Sequence, residues 1–197
     1  MSQILDLSHL GSIEQVQEQN PDNGSFEEVE AGGYICKICN AILVNEGDKK
    51  NIRLELDIAE GNHKDYFTKL EERAGFWGLT GYASFKDGQL GRFIKICTAF
   101  GVSNPGFTFD PFRKGGADVD TLIGKKIGVV IGKEEYLSNK GEIREKNVVA
   151  NITEIDKIKN NKFSIPKLKK LDVSKAPAGQ DDFMKISKDA DEETPFN

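Results

Sequence analysis

Three strand-like segments, one amphipathic helix and two further strands follow one another in this 197-residue chain, and that order predicts a mainly β fold. It is the element order of the OB-fold, a five-stranded Greek-key barrel with its helix between strands three and four. A second observation is the partition of charge. Residues 1–30 hold seven acidic side chains and no Lys or Arg, and residues 172–197 hold seven acidic side chains against three Lys. Taking −7 and −4 from the total of −5 leaves +6 on residues 31–171. An acidic total thus conceals a basic middle, and the middle decides which partners are attracted. The chain divides into an acidic N-terminal arm (1–30), one barrel domain (31–171) and an acidic C-terminal tail (172–197), both ends being flexible in this reading.

The arm combines a short helical stretch, Ser12 to Gln19, with the turn-rich Asn20-Pro21-Asp22-Asn23-Gly24, and Gly32-Gly33 marks where the folded domain starts. In the first strand Tyr34, Cys36 and Ile38 alternate with Lys37. The second places Ile52, Leu54, Leu56 and Ile58 on one face and Arg53, Glu55 and Asp57 on the other. Asn45-Glu46-Gly47-Asp48 turns the chain between them. Ala59-Glu60-Gly61-Asn62 turns it again into Tyr66–Leu70, the third strand expected. Gly75 to Asp87 is rich in aromatics and glycine and has no clear period. From Leu90 to Phe100 the period becomes helical, with Leu90, Phe93, Ile94 and Cys97 three or four apart and Gly101 as the stop. A long loop from Ser103 to Asp120 precedes strands at Ile123–Gly132 and Arg144–Ile155, joined by a hairpin at Asn139-Lys140-Gly141. The folded part closes near Phe163-Ser164-Ile165-Pro166.

Three cysteines give no disulfide framework. Cys36 and Cys39 have C-x2-C spacing, but on a strand residues three apart point to opposite faces, so free thiols in a reducing compartment are expected and no metal or cofactor is called for. No signal-peptide core and no apolar run near 18 residues occurs, so neither secretion nor membrane insertion is expected. Catalytic signatures are equally thin. His9 and His63 have no nucleophile motif beside them, and Gly124-Lys125-Lys126 lacks the spacing of a phosphate loop. Asp57, Glu60 and Glu71-Glu72 lie near one another in sequence, as the carboxylates of a nuclease metal site would, and solvated faces explain such residues as well. The expectation is a protein that is not an enzyme.

The basic and aromatic residues carry the positive signal. Lys37 and Arg53 lie on the first two strands, and from Tyr66 to Arg113 the chain interleaves Tyr66, Lys69, Arg73, Trp77, Tyr82, Lys86, Phe107, Phe109, Phe112 and Arg113. Cations neutralise phosphates and release counterions, while aromatic faces stack on bases for about 1–3 kcal/mol each without selecting among them. A barrel also needs large side chains inside. Phe67, Phe93 and Phe100 are assigned to the core, with Tyr66 facing away from Phe67, and Trp77, Tyr82, Phe107, Phe109 and Phe112 are expected to be exposed.

Nearly all of residues 31–171 resembles a bacteriophage family of single-stranded-DNA-binding proteins with an OB-fold. The ordered stretches are Ala31-Gly32-Gly33-Tyr34-Ile35-Cys36-Lys37-Ile38, Leu54-Glu55-Leu56-Asp57-Ile58-Ala59-Glu60-Gly61, Tyr66-Phe67-Thr68-Lys69-Leu70, Ser103-Asn104-Pro105-Gly106-Phe107, Leu122 through Val130, Glu134-Glu135-Tyr136 and Phe163-Ser164-Ile165-Pro166-Lys167-Leu168. The resemblance implies a role in phage DNA replication or recombination in the cytoplasm of an infected bacterial host, and it assigns no individual DNA contact. The last residues, with Asp191, Glu192 and Glu193 before Pro195 and Phe196, are similar to the acidic Pro-Phe tail by which bacterial single-stranded-DNA-binding proteins recruit partners; here Asn197 follows the phenylalanine. The reading that results is a protein that coats and protects single-stranded DNA with little sequence preference. Its partners are DNA and, through the tail, replication or recombination proteins; self-association stays open. A protein-interaction adaptor without DNA affinity and an annealing recombinase are the alternatives.

Overall fold

The computed structural model describes residues 28–138 and 141–171. The arm's helix and turn, the residues 139–140 of the last hairpin and the whole tail, with Asp191, Glu192, Glu193, Pro195 and Phe196, lie outside the described residues. Residues ahead of Ala31 also join the packed body: Val29 is fully buried and Glu28 ion-pairs with Lys133.

The protein is mainly β: five strands form one antiparallel sheet in the order β3-β2-β1-β4-β5. They are β1 (Gly32–Glu46), β2 (Lys49–Ile58), β3 (Thr80–Ser84), β4 (Lys126–Leu137) and β5 (Ile143–Thr153). Three helices, α1 (Tyr66–Ala74), α2 (Leu90–Ser103) and α3 (Ile155–Lys159), and a 3-10 turn at Val119–Leu122 complete the described elements. The fifteen-residue β1 spans both halves: Cys36 to Glu46 pair with β2, and Gly32 to Lys37 pair with β4. A bulge between Ile38 and Asn40 lets one strand serve both partners, since the extra residue bends the strand and increases its twist.

The inner face follows the expected alternation. Cys36, Ile38, Ile52, Leu54, Leu56, Ile58, Ile127, Val129 and Ile131 are all buried. β3 and β5 share no ladder among the described residues, yet the sheet curls until they meet. A Cβ on Gly81 of β3 would lie 3.3 Å from Ile152 and from Val149 of β5, so the missing side chain is what admits β5 there. Helix α2 buries Phe93, Ile96, Cys97, Ala99 and Phe100 against this core, the three-and-four spacing of an amphipathic helix. It runs two residues past Gly101. Asn104 ends it, donating from Nδ2 to the carbonyls of Phe100 and Lys126 (both 2.8 Å) and accepting the Lys126 N–H at Oδ1 (3.0 Å), which fastens the helix to the start of β4.

One element differs in kind from the expectation. Tyr66–Leu70 is the first half of helix α1, and the third strand is Thr80–Ser84. Asp57 on β2 decides this locally. Its buried carboxylate accepts the N–H groups of Ile58 (2.8 Å), Phe67 (2.9 Å) and Thr68 (3.1 Å) and the Thr68 hydroxyl. It thereby satisfies first-turn donors that a helix cannot satisfy itself. Gly75, at φ 72°, closes the helix by returning its N–H to the Glu71 carbonyl. β3 carries little hydrophobic signal because its inward residues are Gly81 and Ala83. The last strand stops at Thr153, and Ile155 opens α3.

The outer face is divided. Over β4, α3 and the segment that follows lie so close that a Cβ on Gly128 would come within 2.7 Å of the Glu154 carbonyl oxygen and 2.8 Å of Ile158. A Cβ on Gly33 would sit 2.5 Å from the Phe163 ring, and one on Gly132 would sit 2.8 Å from Pro166. Further along, Lys169 bridges to Glu134, hydrogen-bonding in parallel with Lys133 and Glu135. Among the described residues, the outer face of β2, β3 and the adjoining half of β1 shows no such close cover.

Candidate nucleic-acid interface

The uncovered outer face is built from residues that the ladder aligns in rows. Arg53 of β2 lies between Ile42 of β1 and Tyr82 of β3. Flanking rows are Asn40, Glu55 and Thr80, and Val44, Asn51 and Ser84. Alternation, with the bulge before Asn40, puts these side chains outward, because their neighbours Ala41, Ile52, Leu54 and Ala83 are buried. Tyr82 is 57% exposed and stands level with Arg53 in the ladder. Glu55 orients the centre: one carboxylate oxygen accepts from Arg53 at 3.1 Å and the other from Asn40 at 3.0 Å. Arg53 Nε and Asn51 Oδ1 have no hydrogen-bond partner among the described residues.

Lys37 is exposed at one end of this face, level with Asp57, and Lys49 is exposed at the other, beside the β1–β2 turn, while its neighbour Lys50 is exposed on the opposite side of the strand. From Asp57 to Lys50 the strand rises about 23 Å, a length that a few nucleotides span. Lys86, just past β3, is exposed near the same turn, where Lys50 accepts the Phe85 N–H. Helix α1 begins at the Asp57 end and carries Lys69 and Arg73 on its exposed side. Of the residues singled out from sequence, Lys37, Arg53 and Tyr82 therefore share one face, with Lys69, Arg73 and Lys86 at its ends.

The remaining aromatic and basic residues do not join them. Trp77, expected to be exposed, is half-buried and packed on the core, with Nε1 donating to the Leu79 carbonyl at 2.9 Å. Tyr66 is half-buried edge-on to Phe67 (5.0 Å) and His63 (6.0 Å), and burial pushes its hydroxyl pKa up. Phe109, also expected to be exposed, is a core residue packed edge-on against Phe100 at 5.9 Å. Its neighbours in the loop explain why: Phe107 is half-buried under the Lys125 ammonium (4.7 Å), and Phe112 takes the outside position at 61% exposure. Arg113 is exposed on this loop, its Nε donating to the Gly116 carbonyl at 2.7 Å, and it lies with α2 rather than with the sheet face. Phe67, Phe93 and Phe100 are core, as assigned.

Sequence reasoning passed over Asn40, Asn51, Glu55 and Lys49. The alternation that marked Arg53 as outward also marks Asn51 and Glu55, whereas Asn40 becomes outward only because of the bulge. Among the candidate nuclease carboxylates, Asp57 is engaged by four donors. Glu60 pairs with Lys126 at 2.7 Å, and that hydrogen bond holds its carboxyl below the usual range. Among the described residues no group of three His, Cys, Asp or Glu is placed to hold a metal ion. The thiols are unreactive in character: Cys36 and Cys97 are buried, and burial raises Cys97 to about 11 and Cys36 and Cys39 above their ordinary value. No described helix is long and apolar enough to cross a membrane. No protein-family model matches the chain, and no curated protein sequence matches it.

Proposed function

We propose that this protein binds single-stranded DNA along the outer face of β1, β2 and β3, on a barrel of the OB type. The strand connections support the barrel reading: β1, β2 and β3 form a meander, and after α2 the chain returns with β4 against the other edge of β1. β5 then comes back to touch β3. The observation that carries the functional reading is Tyr82, more than half exposed and level with Arg53 on the half of the sheet that no described segment overlies. A tyrosine and an arginine paired across the ladder offer stacking to a base and charge to its phosphate, and Lys37 and Lys49 extend the cationic track in both directions. Backbone neutralisation plus stacking gives affinity without a base code, which is coating and protection rather than sequence-specific control. The phage replication or recombination role, the infected-cell cytoplasm and partner recruitment by Asp191, Glu192, Glu193, Pro195 and Phe196 are proposed on the same reading.

The test is anisotropy of a labelled oligo-dT of about 35 nucleotides titrated with the full chain across salt concentrations. The expected result is an affinity falling linearly in log salt, with duplex of equal length bound far more weakly. Trp77 fluorescence should change little, because its indole is anchored to Leu79. Absence of oligonucleotide binding at low salt would overturn the proposal and favour the protein-interaction reading.

A further inference from the structure

A cationic cleft of about 370 Å³ lies between α2 and the end of β5, apart from the residues assigned above to DNA. Helix α2 is held beside the strand end at two points. Arg92 Nη2 donates to the Ala150 carbonyl at 3.3 Å, and Ser103 Oγ accepts the Ile155 N–H at 3.1 Å. Arg92 and Lys95, three apart on one side of the helix, line the cleft, and Asn151 and Lys157 line it from β5 and α3. These charges are not balanced within the protein. Lys157 is paired at 2.8 Å with Glu154, the one carboxylate residue in the lining. Arg92 and Lys95 are exposed, and neither ion-pairs with a carboxylate among the described residues. Arg92 is oriented all the same: the Ala150 carbonyl takes one of the five guanidinium donors and leaves the others for a ligand. A guanidinium and an ammonium sharing a cleft suit a phosphate. The lining holds no aromatic ring, so nothing there stacks on a base. The chemistry is that of a backbone phosphate held without base contact.

Position supplies the source of that phosphate. β5 meets β3 at Gly81, the residue before Tyr82, and Ile152 belongs to both places: it stands 3.3 Å from a Cβ on Gly81, and it lines the cleft. Helix α2 packs on both strands. The row that sets Arg53 of β2 beside Tyr82 of β3 thus leads on to β5, where Arg92 and Lys95 stand. We infer that the cleft holds phosphates of the same single strand after it passes Tyr82, so that the DNA path turns from the sheet face onto α2. This inference rests on the single-strand reading above and extends its site to a place that offers charge and no rings.

The test titrates the full chain with an oligo-dT of about six nucleotides, within the site size of one such fold, and with the same oligonucleotide extended at each end by abasic nucleotides. The extensions supply phosphates and no bases. They are expected to raise wild-type affinity several-fold and to steepen the log–log salt slope by about 1.4, two phosphates at about 0.7 each. In the combined Arg92→Gln, Lys95→Gln chain that gain should be lost, while the plain oligonucleotide binds as before. Removing two exposed cations from the segment past Pro166 instead, Lys167→Gln with Lys170→Gln, should leave the gain in place. An undiminished gain in the Arg92–Lys95 variant would overturn the inference. So would an equal loss in the Lys167–Lys170 variant, which would mean a general effect of net charge. Weaker binding of the plain oligonucleotide by the Arg92–Lys95 variant would also overturn it, by placing those cations in the sheet-face site. Nitrogen-15 spectra of the full chain separate strand from free anion. The extended oligonucleotide should shift residues 92–98 and 151–157, and millimolar inorganic phosphate at constant ionic strength should not; saturable shifts with phosphate alone would overturn the strand path. If the wild type bound neither oligonucleotide, the single-strand proposal would fall and take the cleft with it. If it bound both equally, only the cleft would fall.

Discussion

The two halves of the outer sheet face are made of the same kind of strand and end up opposite in character. Over β4 and the adjoining part of β1, the outward positions include Gly33, Gly128 and Gly132, and α3, Phe163 and Pro166 lie directly on the backbone there. Over β2, β3 and the rest of β1, the outward positions include Asn40, Asn51, Arg53, Glu55 and Tyr82, and among the described residues no glycine there is pressed by an overlying segment. Glycine in a strand weakens it in isolation and repays that only where something must approach closely. The covered half is therefore specified by absent side chains, and the open half by side chains that have hydrogen bonds, charge and π surface to offer. The comparison teaches which half can be changed without unfolding the protein.

The largest effect should come from the pin that joins the halves' shared core to α1. Asp57→Ala removes the acceptor of three N–H groups and a hydroxyl, and it leaves first-turn donors of α1 buried without partners. A loss of about 3 kcal/mol is expected, measured as a lower urea midpoint with an unchanged m-value. Next come the glycines of the covered half. Gly128→Ala would press a methyl onto the carbonyl oxygens of Glu154 and Thr153, which are backbone atoms and cannot swing aside; about 2–3 kcal/mol is expected. Gly33→Ala meets only the Phe163 ring, whose side chain can shift, so about 1–2 kcal/mol is expected. If both glycine variants proved neutral, the cover over β4 would be loose and the contrast between the halves would fail.

On the open half the same kind of measurement should give almost nothing. Tyr82→Ala is expected to change stability by less than about 0.5 kcal/mol, as for a surface position without a special contact, while weakening oligo-dT binding by about 1–3 kcal/mol. Gly33→Ala should do the reverse, costing stability and leaving the affinity of the folded protein unchanged. That crossed pair sharpens the comparison into a separation of folding from binding.

How much of this was legible in the sequence depends on whether a side chain or its absence carried the information. β2 was readable because Ile52, Leu54, Leu56 and Ile58 alternate strictly with polar residues, and α2 because Phe93, Cys97 and Phe100 repeat at helical spacing. β3 was hidden because its inward residues, Gly81 and Ala83, are too small to register as hydrophobic. Tyr66–Leu70 read as a strand because the partner that makes it a helix, Asp57, is nine residues away from Tyr66 in sequence and on another element. Phe107, Phe109 and Phe112 are indistinguishable as sequence, and tertiary packing alone sorts them into half-buried, buried and exposed. Arg53 and Tyr82 were both marked as outward candidates, but that they are neighbours follows only from the register of β2 with β3.

The smallest effect concerns the strap that closes the covered half. Lys169 donates to Glu134 at 2.6 Å, and this hydrogen bond, ahead of any burial effect, holds the Glu134 carboxyl below its usual value of 4.5. The group's folded pKa is depressed, so its contribution is complete above the unfolded value and is lost as pH falls through the lower folded one. Lys169 is largely exposed, and the pair is screened accordingly; a few tenths of a kcal/mol is the scale. Glu134→Gln at neutral pH should therefore leave the unfolding midpoint nearly unchanged. It should speed amide exchange in residues 168–171, where Lys169 and Leu171 hydrogen-bond to Lys133 and Glu135, and the wild-type chain should show the same acceleration once the pH has fallen through the depressed folded pKa of Glu134. The outer face of β2 and β3 should show no matching change in either case. Should it quicken equally, the two halves would be opening together, and the strap would belong to the whole domain rather than to the covered side.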